Sequence, residues 1–144
     1  MVANLALGGV LIASTVFIHT AGLVLLADWM AAVVRWFKLH KHRPGQTFAL
    51  MTTVLGLFFL HTLEIWLWAA VYAAIGVIGD FETALYFSTE SFSTVGYGDV
   101  TPDPQWRLFA ALESINGFIL IGWSIAYLIA ASTRHGPFRS GEHF

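Results

Sequence analysis

The run Thr94-Val95-Gly96-Tyr97-Gly98-Asp99 sets glycines at alternate positions of a short segment. Successive backbone carbonyls turned to one side make a row of oxygens. When several chains contribute such rows around one axis, the oxygens can replace the water of a dehydrated cation. Ordinary helix or strand built from L-residues cannot aim every carbonyl one way, and alternate glycines reach backbone angles closed to other residues. Gly96 and Gly98 have that spacing. Thr94 adds a hydroxyl at the inner end that can complete the innermost site, while Val95 and Tyr97 are expected to point away from the axis and pack against the surroundings. The plainer alternative is a glycine turn after a helix. The whole run in an apolar setting argues against it, because motif and context agree.

A second set of residues stands out by position. His19, His61 and Glu64 are ionisable groups inside long apolar stretches, where such groups face protein or water. Counted from Arg35 and Thr47, His19 and Glu64 lie about 24 to 26 Å along their helices at 1.5 Å per residue. His61 is one turn from Glu64 on the same face. His19 is therefore expected to bond Glu64 or His61 and to fix how the first helix docks, with proton sensing as the second reading because histidine titrates near neutrality. Glu113, about two turns into the last apolar stretch, is expected to bond a hydroxyl or backbone group, the alternative being a charge turned to the central axis. Asp28 lies near a helix end, where it can pair locally or snorkel. His40, His42 and His135 fall among lysines and arginines, a solvated collar that sets topology or, alternatively, senses pH or lipid phosphate.

The elements that must hold these groups follow from the apolar stretches, about 5–34, 48–78 and 108–131. Each is long enough for a spanning helix, which needs about 20 residues. Residues 81–93 are too few to span and precede the glycine run directly. A re-entrant helix is the reading, tolerated at membrane depth only when buried in protein. The fold class is thus all-α and integral to the membrane: three transmembrane helices, a re-entrant helix and an extended segment. Composition agrees, with 57% hydrophobic and only 11% charged residues, against about 25% charged in ordinary soluble domains. There is no cysteine, so disulfides and thiolate metal sites are excluded. Residues 1–9 lack the basic start of a secretory signal, and the first stretch is read as retained.

Arg35, Lys38, Lys41 and Arg43 crowd the first link, and Arg134 and Arg139 follow the last stretch. The positive-inside rule puts both in the cytoplasm, with the N-terminus and the 80–107 loop outside. Asp80, Glu82, Asp99 and Asp103 oppose a single Arg107 in that loop, so its field concentrates cations. Trp29, Trp36 and Trp106 fit an interfacial belt, whereas Trp66, Trp68 and Trp123 are expected to pack more deeply.

From about Trp68 to Ala131 the chain resembles the pore module of potassium channels. Ala84-Leu85-Tyr86-Phe87-Ser88, then Glu90 and the 94–99 run, is similar to small prokaryotic channels with a glutamate in the pore helix, and Arg107, Gly117 and Gly122 fall where those channels have an arginine and two inner-helix glycines. The resemblance implies a homotetramer in a prokaryotic inner membrane, conducting K⁺ passively through sites made by Thr94, Val95, Gly96 and Tyr97, with Gly98 closing the filter. It implies that Glu90 lies behind the filter, sharing a proton or a water with Asp99 because two adjacent carboxylates do not both ionise cheaply. Gly117 would be a hinge or a close-packing point, and Phe118, Ile121, Ile125 and Ile129 would line the cavity and inner constriction.

The expected organisation is a peripheral helix and basic linker over 1–46, a pore module over 47–133 and a cytoplasmic tail over 134–144. Within the pore module the outer helix is 47–79, the pore helix 81–93, the filter 94–99 and the inner helix 105–133. The first helix has no counterpart in two-helix channels, and its basic residues cluster at one end rather than recurring through the span as in a voltage sensor. Membrane lipids are the other expected partners; no enzyme chemistry, organic cofactor, nucleic-acid partner or soluble regulatory domain is expected. The rivals are a non-selective cation pore, a transporter subunit and a non-conducting regulatory subunit.

Overall fold

The structure, a computed structural model, describes residues 2–36 and 43–135, with side chains other than those of Arg43, Arg134 and His135. The expectations for Lys38, His40, Lys41, His42 and Arg139, and for those three side chains, lie outside the described residues. All regular structure among the described residues is helical: α1 (Val2–Trp36), α2 (Arg43–Ala74), α3 (Phe81–Phe92), a short 3-10 turn (Pro104–Trp106) and α4 (Arg107–His135). α1, α2 and α4 contain the three spans long and apolar enough to cross a membrane. The 35 residues of α1 reach about 52 Å, well beyond a hydrocarbon core of about 30 Å. Tilt or extension into the headgroups must absorb the excess.

The helix ends have local causes. α2 carries Pro44 in its first turn, where the missing N–H has no helical partner to lose. It stops at Ala74, five residues short of the expected 79, because Gly76 takes a left-handed φ of 69°. Val77 N–H then donates to the Tyr72 carbonyl and Gly76 N–H to that of Ala73, a Schellman closure. α3 begins at Asp80, whose Oδ1 accepts the Thr83 backbone N–H at 2.9 Å. That backbone bond holds the Asp80 carboxyl below the usual carboxylate range. Pro104 opens the turn that leads into α4.

The chain divides into two compact units. The first joins α1 up to His19 with His61–Ile121. Its core is aromatic: Trp68 and Phe109 ring centres are 5.2 Å apart, and Tyr72 meets Phe87 and Phe109 edge-on at 5.2 and 5.4 Å. Leu11, Ala84, Phe92 and Leu120 pack into the same cluster. Such aromatic pairs add about 0.5–1.5 kcal/mol beyond burial, which counts in lipid, where packing rather than water exclusion drives helix association. Trp68 is buried as expected, but Trp66 and Trp123 remain largely exposed on the chain. In the second unit, which pairs Thr20–Leu60 with the chain from Gly122, Leu60 packs on Gly22 and Leu26 on Gly56. A side chain at either glycine would displace the facing leucine.

Candidate functional site

The segment after α3 is suspended from that helix's last turn. Val95 N–H donates to the Glu90 carbonyl at 3.0 Å and Thr94 N–H to that of Ser91 at 3.0 Å, the same two-bond closure that ends α2. Here the left-handed position is Thr94, at φ 62°, and Gly96 and Gly98 follow at 56° and 78°. Val95 and Tyr97 are not left-handed, so φ alternates in sign along the run. Alternation turns successive carbonyls to one side, whereas a regular strand points them alternately to two. Val95 and Tyr97 are 53% and 75% exposed on the single chain.

Glu90 and Asp99 hold the segment from different sides. Glu90 is buried, and its Oε2 accepts the Tyr97 backbone N–H at 3.2 Å. Asp99 accepts the Tyr86 hydroxyl at 2.8 Å and the Val100 N–H at 3.0 Å. Among the described residues Glu90 and Asp99 make no direct hydrogen bond to each other: Glu90 meets a backbone amide and Asp99 a phenol. The bond to Asp99 pushes the Tyr86 hydroxyl up to about 12. An open pocket of about 280 Å³ beside the segment is bordered by Glu90, Gly96, Gly98, Arg107 and Ser114.

Glu113 is fully buried where α2, α3 and α4 meet, with Tyr72 Oη at 2.6 Å from Oε2 and Ser88 Oγ against Oε1. It is buried and bonded to two hydroxyls rather than open at the surface of the chain. Gly117 packs so tightly on α3 that a Cβ would overlap the Phe92 carbonyl. α4 and α3 thus approach closely at this glycine, as one of the two expected readings requires. On α4, Phe118, Ile125 and Ile129 are exposed, but Ile121, expected to line the same cavity, is half-buried against the core.

His19, His61 and Glu64 come together. His19 Nδ1 lies 2.9 Å from Glu64 Oε1 and His61 Nδ1 2.8 Å from Oε2, with His19 and Glu64 wholly buried. One ligand atom from each falls within 4.8 Å of the others, and the donor set suits a divalent transition metal as well as shared protons. The cluster joins α1 to α2. One turn earlier on the same face, Thr15 exchanges hydrogen bonds with Asn116 of α4 at 2.9 and 3.2 Å. The His61 ring also lies 5.8 Å from that of Phe92, at the end of α3.

Residues 48–134 match the family model described as "Ion channel". The chain is a member of this ion-channel family. It is an ion channel by family and not an enzyme, a multi-pass membrane protein with three candidate spans among the described residues. It is similar, at 34% identity over 87 residues, to a hyperpolarization-activated voltage-gated potassium channel of Methanocaldococcus jannaschii. That match covers 57% of this chain and 40% of the relative, so the chain spans well under half the length of the protein it resembles. No solved structure matches it significantly.

Several residues of the site carry no mark in the sequence that singles them out. Tyr72 and Ser88, the partners of Glu113, are a tyrosine and a serine among many in apolar stretches. The available signal was Tyr72 lying four residues after Trp68, which puts the two aromatic side chains on one helix face. Thr15 lies four residues before His19, a spacing that puts both on one face and could have marked the docking stripe.

Proposed function

We propose that four copies of this channel surround one axis and conduct K⁺ passively and selectively through the carbonyls of Thr94, Val95, Gly96 and Tyr97, with the Thr94 hydroxyl at the inner end. The observation that carries this reading is the alternation of φ at Thr94, Gly96 and Gly98 inside a Thr-Val-Gly-Tyr-Gly run. An alternating backbone makes the one-sided oxygen row that dehydration of K⁺ requires. The resemblance to an archaeal protein named as a potassium channel supports the choice of ion. Homotetramer formation is supported by geometry, since one chain gives one wall of such a cage. Glu90, Asp99 and Glu113 would brace the filter, and Phe118, Ile125 and Ile129 would form apolar rings that gate by dewetting. Basic residues flanking the first link and the last helix favour a cytoplasmic C-terminus and an outward filter in a prokaryotic inner membrane.

The test is potassium flux into liposomes holding the purified protein, with Na⁺ as competitor and Ba²⁺ as blocker. Preference for K⁺, block by Ba²⁺ and loss of flux in Gly96→Ala are expected, the last because alanine resists the left-handed angle at that position. Equal K⁺ and Na⁺ flux would refute selectivity. No flux from a protein of four-chain mass would refute autonomous conduction.

A further inference from the structure

Glu113 stands in the middle of three short oxygen–oxygen contacts. Tyr72 Oη is 2.6 Å from Oε2, Ser88 Oγ touches Oε1, and the same Oγ is 2.9 Å from the backbone carbonyl of Ile65. Each contact needs one proton between its two oxygens. A hydroxyl carries one proton and a carbonyl none. Tyr72 and Ser88 together therefore supply two protons for three contacts. If Ser88 gives its proton to Glu113, its oxygen faces that of Ile65 with lone pairs opposed. If it gives it to Ile65, an ionised Oε1 faces the Ser88 oxygen in the same way.

We propose that Glu113 is held as the neutral carboxylic acid and serves as a positioning residue for the pore helix α3. Tyr72 donates to Oε2, Glu113 donates from Oε1 to Ser88, and Ser88 donates to the Ile65 carbonyl. Every proton then has one acceptor and every short contact one proton. A second observation points the same way: Glu113 is wholly buried, and among the described residues no basic side chain bonds it. An ionised carboxylate so placed would be heavily penalised. The relay passes from α4 through α3 to α2 and ties down the helix whose last carbonyls suspend Thr94 and Val95. The consequence for conduction rests on the channel reading proposed above; the protonation of Glu113 does not.

The test uses the full chain in lipid. Infrared spectra are expected to show a protonated-carboxyl carbonyl band that is missing in Glu113→Gln and moves to higher frequency in Tyr72→Phe, which removes the donor to Oε2. Glutamine copies the neutral acid, since its amide donates to Ser88 and its carbonyl accepts from Tyr72. Glu113→Gln is therefore expected to assemble and to pass K⁺ within about twofold of wild type, while Glu113→Ala and Ser88→Ala fall by roughly tenfold or more, the scale of leaving buried donors unpaired. A spectrum in which neither Glu113→Gln nor Tyr72→Phe alters a protonated-carboxyl band overturns the proposal. So does Glu113→Gln as damaged as Glu113→Ala, or Glu113→Ala as active as wild type. If the wild type carries no ions at all, the channel reading fails while the infrared band still decides the protonation.

Discussion

Thr94 occupies the position after a helix end that glycine usually takes. A left-handed angle costs an L-residue about 1–2 kcal/mol, more awkward still for a β-branched side chain. Glycine would close α3 more cheaply but would bring no hydroxyl to the inner end of the proposed oxygen row. Glu90 counters part of the segment's strain by accepting the Tyr97 amide. Glu90→Gln keeps a carbonyl acceptor, whereas Glu90→Ala leaves that N–H unpaired beside a cavity, a loss of about 1–3 kcal/mol. Flux assays should therefore give near-normal K⁺ over Na⁺ preference in the glutamine variant and a marked loss in the alanine variant; unchanged selectivity in alanine would show that the bond does not hold the segment. The left-handed angles at Gly96 and Gly98 were legible from sequence because glycine at alternate positions is what such a backbone needs. The partner of Glu90 was not, because a carboxyl reaching an amide seven residues on depends on the path of the intervening loop.

At the scale of elements, the long helices were legible because lipid demands long apolar runs, and their ends were not. Gly76 ended α2 through its backbone angle, a choice that nothing in the apolar pattern Ala73-Ala74-Ile75-Gly76-Val77 distinguishes from a packing glycine. The two glycines of α4, Gly117 and Gly122, show the same divide. Gly117 lies against the Phe92 carbonyl, while among the described residues nothing beyond the helix's own nearby backbone and the adjacent residues lies within 4 Å of a Cβ built on Gly122. A backbone carbonyl cannot swing aside as a side chain can. Gly117→Ala should push α3 off α4 and destabilise the protein by about 1–3 kcal/mol, read as a lower thermal midpoint in detergent, with Gly122→Ala much closer to wild type. Equal midpoints for Gly117→Ala and wild type would favour a hinge role over close approach.

At the scale of the whole molecule, apolar side chains of the glycine run stand exposed, Tyr97 and Val95 among them, and so do Phe118, Ile125 and Ile129 along α4. Apolar side chains around a polar backbone row are what an assembly around an axis would cover, and no pattern in a single sequence says how many copies do so. The docking of α1 was more legible, because an ionisable residue at matching depth on each of two helices has few other partners. On the proposed reading, K⁺ binds only where four oxygen rows meet, so the ion and the assembly must be linked. Any ligand that binds the assembled state alone stabilises it, by about 2.7 kcal/mol at a hundred times its dissociation constant. Na⁺, too small to meet all the carbonyls of a K⁺ cage, should give less. The assembled protein is therefore expected to keep its four-chain mass to a higher temperature in K⁺ than in Na⁺ at equal ionic strength, and Gly96→Ala should erase that difference while still assembling through its helices. An ion-independent melting temperature in wild type would separate assembly from the filter and return the glycine run to the status of a turn.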